Sequence, residues 1–424
     1  MIDPGVRHAE RLSRFTIAQV DALAIAPWLL IPYDSLTHLA GLDPGETAQS
    51  LPATAVFCVA YLVLRGSSLR TCERSRLVCL TMAKAVAVMF VVTLLNIALE
   101  QSGIVRADLI ALRLPTAARQ SVSMLLGLGT FLMFQDSLLR TGFAVAMRWI
   151  LIGCVPSLIL LAVQIVTGEF RVQGFSSEPS LVADMLVLAF LPACATAAMS
   201  VRIRWVGALF GTAALLRTFS TTGFMKAFFA AVVYFIERRQ LARGVLILGL
   251  FLGVVYIVFS SFPENYAALV FSYMNQQYER TGELVTGSFI DRFYGFAGPF
   301  SLMSSPHGWL GFGFGGDTVY FDTMFQGDIA AAIRNEKPGM VSISSLQGKM
   351  LMYGGVLGYA LYCTAWLRAW KGAPRLHLAR VMLPAIFLSS LFSLGPMFLP
   401  YTWLWLAIAS TAALQPWRDA AGEK

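Results

Sequence analysis

The sequence predicts an all-α polytopic membrane protein of about twelve transmembrane helices with one large outer loop. Three observations predict it. Of 424 residues, 57% are hydrophobic and 13% charged, and the mean hydropathy is +0.66. Soluble domains carry about 25% charged and about 45–50% apolar residues. Apolar runs of roughly 20 residues recur, enough to cross a hydrocarbon core of about 30 Å. Lys and Arg gather in alternate connecting segments. Water-soluble enzymes, disordered chains and nucleic-acid binders are excluded, and the net charge of +8 is an orientation signal rather than a nucleic-acid one.

The spans fall at roughly 16–34, 50–64, 78–98, 120–138, 143–167, 180–200, 203–218, 222–237, 243–261, 346–366, 380–396 and 398–415. The polar start has no short apolar core and no small-residue cleavage site, so the first helix is expected to be retained. With the N-terminus inside, the inner segments hold 19 of the 32 basic residues, among them Arg65, Arg70, Arg74, Arg140, Arg238, Arg368 and Arg380. Segment 35–49 has none. An even span count puts both termini in the cytoplasm. The chain divides into 1–261 (helices one to nine), 262–345 (the large outer loop) and 346–424 (helices ten to twelve and a cytoplasmic tail).

Two outer segments stand apart. Residues 100–119 are amphipathic, with Arg106, Asp108 and Arg113 among Ile, Leu and Val, and suit a helix lying in the interface. Segment 262–345 is 84 residues long, aromatic, Gly-rich and charged. Loops of that length are commonly functional. The six cysteines show no CxxC spacing and fall in helices or inner loops, so neither a disulfide framework nor a zinc site is expected.

No P-loop, HExxH or Ser-His-Asp set occurs. The glycine run Gly311-Phe312-Gly313-Phe314-Gly315-Gly316 lacks the strand-to-helix context of a dinucleotide fingerprint and suits a tight outer loop. The informative charges face outward: Arg171 between helices five and six, Asp184 one turn into helix six, Arg217 at the end of helix seven, and Lys226 one turn into helix eight. Arg292, Arg334 and Lys337 lie in the large loop. Charge at the membrane boundary is costly and marks a pathway or site. Guanidinium binds phosphate oxygens bidentately, so Arg171, Arg217 and Arg292 suit a diphosphate. The bland alternative is snorkelling to headgroups, which suits Lys84, Arg106, Arg113, Arg119 and Arg148. Glu178 either caps helix six through the helix dipole or serves as a general base. Asp291 is a base or the ion-pair partner of Arg292. His307 is a base or a loop residue. The aromatics Tyr294, Phe296, Trp309, Phe312, Tyr320 and Phe321 either stack on sugars or pack the loop.

The stretch Arg171-x-x-Gly174-Phe175-x-x-Glu178-Pro179-Ser180 resembles a signature of the O-antigen polymerase and ligase (Wzy-like) family. So do the turn Ser220-Thr221-Thr222-Gly223, the Pro-x-Gly-x-x-Gly-x-Gly stretch from Pro306 to Gly313, and Tyr353-Gly354-Gly355-Val356-Leu357-Gly358. The resemblance runs over about 168–360. It implies a C-type membrane glycosyltransferase of the bacterial inner membrane, with one large periplasmic loop and its active site facing the periplasm. Such enzymes use undecaprenyl-diphosphate-linked oligosaccharide, with no metal, nucleotide or other cofactor and no nucleic-acid partner. Carried onto this chain, the substrate-binding residues are Arg171, Arg217, Arg292, Lys226, Arg334 and His307, and the catalytic carboxylate is Glu178 or Asp291. The resemblance also implies a chain-length-regulating co-polymerase. Ligases of the family have a His near the end of the large loop. Here Val341-Ser342-Ile343-Ser344-Ser345-Leu346-Gln347 has none, which favours polymerase over ligase. The rival from another class is a flippase or secondary transporter, which would show related halves, interrupted helices and charge deep in several helices.

Overall fold

The computed structural model describes residues 21–31, 53–99, 101–102, 107–169, 179–196, 200–218, 220–240, 242–246, 287–303, 306–320, 345–375, 377–392 and 400–414, with single residues 172, 174, 249, 253 and 343. Among the described residues the chain is helical, with no strand. Among these residues four helices are long and apolar enough to cross a membrane: Glu73–Leu99, Leu114–Thr141, Phe143–Val166 and Leu346–Gly372.

In chain order the helices are α1 (Ala22–Leu30), α2 (Ala53–Arg65), α3 (Glu73–Leu99), α4 (Ala107–Thr141), α5 (Phe143–Val166), α6 (Pro179–Met185) and α7 (Leu191–Ala195). There follow α8 (Val201–Thr218), α9 (Thr221–Glu237), α10 (Gly287–Leu302), α11 (Pro306–Leu310), α12 (Gly316–Val319), α13 (Leu346–Gly372), α14 (Leu378–Ser389) and α15 (Pro400–Thr411). A π-helical turn, Leu186–Phe190, joins α6 to α7. Helices occur at most of the expected positions, but among the described residues four, rather than twelve, are long and apolar enough to count as candidate spans. The ninth, 243–261, lies largely outside the described residues.

One expectation is corrected. The amphipathic segment 100–119 is not a separate surface helix, because from Ala107 it runs unbroken into α4 across Pro115. Asp108 and Arg113 fall in the first turns of a long helix, and a sequence window cannot tell an end from a neighbour.

The centre of the bundle is α15. Every residue from Pro400 to Thr411 is buried, so this helix is apolar on all sides and enclosed by others. Gly127 on α4 lies under the ring of Trp403, where a Cβ would come within 2.2 Å of the indole. Helix α3 turns Met82, Ala85 and Met89 inward and leaves Leu80, Phe90 and Leu94 exposed, as a helix between protein and lipid should.

Helix α13 is broken. Gly355 has φ +56° and ψ −159°, which no helix accommodates, and it divides α13 into arms 346–354 and 356–372. The second arm lies antiparallel to α3. Arg74 Nη1 donates to the Gly372 carbonyl (2.7 Å), Arg368 Nη1 to Thr81 Oγ1 (2.5 Å), and Gly358 faces Val88 and Met89. The first arm starts where α14 stops: the Gln347 amide donates to the Ser390 carbonyl (3.4 Å) and Gln347 Nε2 to Ser390 Oγ (2.6 Å).

The basic residues of one end are built in. Asp136, fully buried, accepts from Tyr61 OH (2.6 Å), the Arg70 amide (2.7 Å) and Arg140 Nε (2.9 Å). Arg65 pairs with Asp21, and Arg380 with Glu237 (3.1 Å).

Candidate functional site

The opposite end of the bundle gathers three stretches that are distant in sequence. The first leaves α5. Gly174 sits at φ +56° and donates its amide to Gln164 Oε1 (2.8 Å), which turns the chain back onto α5. The second is the end of α8. The Val172 amide donates to the Arg217 carbonyl (3.3 Å), and Arg217 Nη2 donates to the Glu169 carbonyl (3.0 Å). Arg217 is thus clasped by the segment that carries Arg171. Its Nε is buried and has no hydrogen-bond partner among the described residues. An unsatisfied guanidinium nitrogen of this kind suits an anionic oxygen.

The third stretch is the turn 220–223. Ser220 Oγ caps α9, accepting from the Gly223 amide (3.3 Å), and lies 3.0 Å from Thr222 Oγ1. The cap fixes the start of a 17-residue helix whose N-terminal dipole favours negative charge. Gly223 is required here, since its Cβ would lie 2.4 Å from that of Ala183 on α6. One turn deeper Lys226 bonds Asp184, and both side chains are almost wholly buried. The Lys226 charge is committed to Asp184 rather than open at the surface.

The glycine run builds a second polar centre. Gly311, Gly313 and Gly315 all have positive φ, and the loop they form threads between α3, α4 and α13. Its amides from Phe312 to Gly316 are taken: Phe312 to the Met352 carbonyl (2.6 Å), Gly313 to the Tyr353 carbonyl (3.2 Å), Phe314 to Thr93 Oγ1 (2.7 Å), Gly315 to Gln120 Oε1 (2.6 Å) and Gly316 to the Gly313 carbonyl (3.0 Å). Irregular backbone inside an apolar bundle survives only when satisfied in this way. The amides of 312–316 are therefore engaged by the protein itself and do not cradle a phosphate. Gly311 and Gly355 meet backbone to backbone, a Cβ on Gly311 falling 2.4 Å from the Gly355 nitrogen. Beyond the run, fully buried Asp317 accepts from Tyr353 OH (3.0 Å) and lies 3.6 Å from Lys349 Nζ.

Of the residues singled out in the sequence, the structure brings together Arg217, Lys226, Asp184 and the 220–223 turn. Arg171, Glu178 and Arg334 lie outside the described residues. Asp291 and Arg292 fall in α10, and His307 falls in the single turn of α11. Among the aromatics, Phe312 is buried on Tyr320 (centroids 4.4 Å apart) and packs the loop, whereas Trp309 is exposed. Sequence reasoning missed the Asp317–Lys349–Tyr353 group. The signal was there: isolated charges in aromatic, Gly-rich or apolar stretches, which a bundle buries only in pairs.

No family model matches the chain, and no curated protein matches it.

Proposed function

We propose that the chain is a lipid-linked oligosaccharide polymerase. In this reading it has twelve spans, both termini are cytoplasmic, and segment 262–345 forms a periplasmic loop of the inner membrane. It joins undecaprenyl-diphosphate-linked repeat units into O-antigen, capsule or exopolysaccharide. One observation carries the reading: Arg217 is clasped by the 169–174 segment beside the capped start of α9, with its buried Nε unpartnered among the described residues. A cation, a helix N-terminus and two hydroxyls at one place suit a diphosphate.

The chemistry follows. Arg217, with Arg171 and Arg292, holds the donor diphosphate and stabilises the charge that grows on it. The acceptor hydroxyl oxygen attacks the anomeric carbon while the bond from that carbon to the diphosphate oxygen breaks. The hydroxyl proton passes to Glu178 or Asp291. Displacement in one step inverts the anomeric centre. Segment 262–345, with Arg334 and His307, aligns the acceptor, and positioning supplies much of the rate.

The test places purified protein in liposomes with its lipid-linked repeat unit and resolves the products by size. A ladder of lipid-linked oligomers supports the polymerase. Arg217→Ala should reduce it at least tenfold at unchanged protein level, and a variant with full activity would remove the site.

A second reading, a flippase for the same substrate, is favoured by the break at Gly355 and by the meeting of α13 with the end of α14 at Ser390. Interrupted helices are a mark of transporters. Transfer of the repeat unit across the bilayer without elongation would select it.

A further inference from the structure

The segment that clasps Arg217 is held at both ends by one residue. The chain leaves α5 through Gly168, at φ +75°. The Gly168 amide donates to the Ile165 carbonyl (3.3 Å) and the Glu169 amide to the Gln164 carbonyl (3.0 Å), the paired bonds of a glycine-terminated helix. At the far end of the segment, the Gly174 amide donates to Gln164 Oε1 (2.8 Å). The main chain of Gln164 fixes the exit, and its side chain fixes the return. Gln164 is the only polar residue from Leu158 to Val166, and it is more than nine-tenths buried. A buried amide in an apolar run must make hydrogen bonds of this kind to offset its desolvation.

Glu169 carries this anchoring to the guanidinium. Its amide is held by Gln164, and its carbonyl accepts from Arg217 Nη2 (3.0 Å). Fully buried Val172, inside the same segment, donates its amide to the Arg217 carbonyl (3.3 Å). Arg217 is thus held at its main chain and at the tip of its side chain by a segment whose two ends depend on Gln164. The guanidinium is planar, so tying Nη2 restricts where the buried Nε–H, unpartnered among the described residues, can point. Bonding to a phosphate oxygen depends on that direction.

We propose that Gln164 is a positioning residue of the anion site: through the 169–174 segment it sets the orientation in which Arg217 presents Nε–H to the diphosphate. The inference rests on the reading of Arg217 as a diphosphate ligand. Gln164 acts through Arg217 and makes no contact with the diphosphate itself.

The test uses the full chain in detergent, with inorganic pyrophosphate as the probe and elongation in liposomes as a separate readout. Gln164→Met keeps the length of the side chain and removes the acceptor. It should weaken pyrophosphate binding about tenfold, the scale of one hydrogen bond to a charged group. Arg217→Lys keeps a charge but has no planar guanidinium to orient, so Gln164→Met added to it should weaken binding little further. A general loosening of this end of the bundle would weaken binding equally in both backgrounds. Gly174→Ala serves where Gln164→Met fails to fold. It strains the same return at φ +56°, its Cβ lying no closer than 3.4 Å to Ser157 Oγ, and should weaken binding in the same direction. Unchanged affinity in Gln164→Met, a full loss that persists beside Arg217→Lys, or a native chain that binds no pyrophosphate would overturn the proposal. A native chain that shows the expected binding pattern but makes no oligomers supports the positioning role and removes only the polymerase.

Discussion

Trp405 on α15 donates its indole N–H to the carbonyl of Leu188 at 2.8 Å, and Leu188 stands four residues before Pro192. In an α-helix that carbonyl would accept from residue 192, but proline has no N–H. The chain passes through a π-turn at Leu186–Phe190, and the indole takes the place of the missing donor. The same device recurs at the other end of the bundle. Trp370 Nε1 donates to the Arg380 carbonyl (3.1 Å), four residues before Pro384. Apolar bundles tolerate proline because neighbours satisfy what it frees.

Trp405→Phe should therefore destabilise the protein by about 1–3 kcal/mol beyond the loss of packing, since a buried carbonyl is left without a donor. Adding Pro192→Ala restores an N–H four residues on, and should return part of the loss. Thermal unfolding of the two single variants and the double variant checks this. Equal losses for Trp405→Phe in both backgrounds would show that the hydrogen bond contributes nothing.

The Asp184–Lys226 pair makes a sharper prediction. Removing one member strands the other charge in the bundle, which costs about 3–5 kcal/mol, whereas removing both is far milder. Lys226→Met should reduce the yield of folded protein, and Asp184→Asn with Lys226→Met should recover it. If Lys226 acts only through this pair, the recovered double variant keeps substrate affinity. If Lys226 also touches the diphosphate, the double variant folds but binds its substrate more weakly. Detergent-stable yield and affinity for the lipid-linked substrate separate the two.

The helices were legible because apolar length and period survive in a single sequence: α3, α5 and α15 lie where their runs place them. The break in α13 was not. Gly354 and Gly355 sit in an apolar run that continues on both sides, and only the approach of Gly311 reveals why the second glycine is needed. The pairing of Asp317 with Lys349 was equally hidden, since it joins the short α12 to a residue of α13 32 positions further on. The gathering of Arg217 with the 169–174 segment was partly legible. Both stretches carried charge at a helix end, but only the fold shows that one clasps the other.

Gly355→Ala tests the break directly. A Cβ there would lie 2.3 Å from the Trp309 carbonyl oxygen and 2.6 Å from the Gly311 nitrogen, and φ +56° is itself unfavourable for alanine. Neither contact is the end of a flexible side chain, so the 309–311 backbone must move. The expected result is loss of folded protein or a drop in Tm of many degrees. Gly66→Ala, where no atom lies within 4 Å, should be nearly neutral and serves as the control.

His377, in the connection between α13 and α14, gives a pH dependence of definite sign. Its side chain is buried and its Nδ1 accepts from the Ala379 amide (3.1 Å), capping α14. Burial holds its pKa down to about 4, against 6.5 for a free imidazole. Between those values the unfolded chain binds the proton and the folded chain does not, so stability rises with pH across this window. The contribution is complete above about pH 6.5 and is lost as pH falls towards 4. Over the whole window it amounts to about 3 kcal/mol. His377→Asn keeps an oxygen acceptor for the cap and removes the titration. Between pH 7 and pH 4.5 the native chain should lose several degrees of Tm more than the variant does. Parallel curves for the two proteins would mean that His377 takes up its proton without opening the α13–α14 connection.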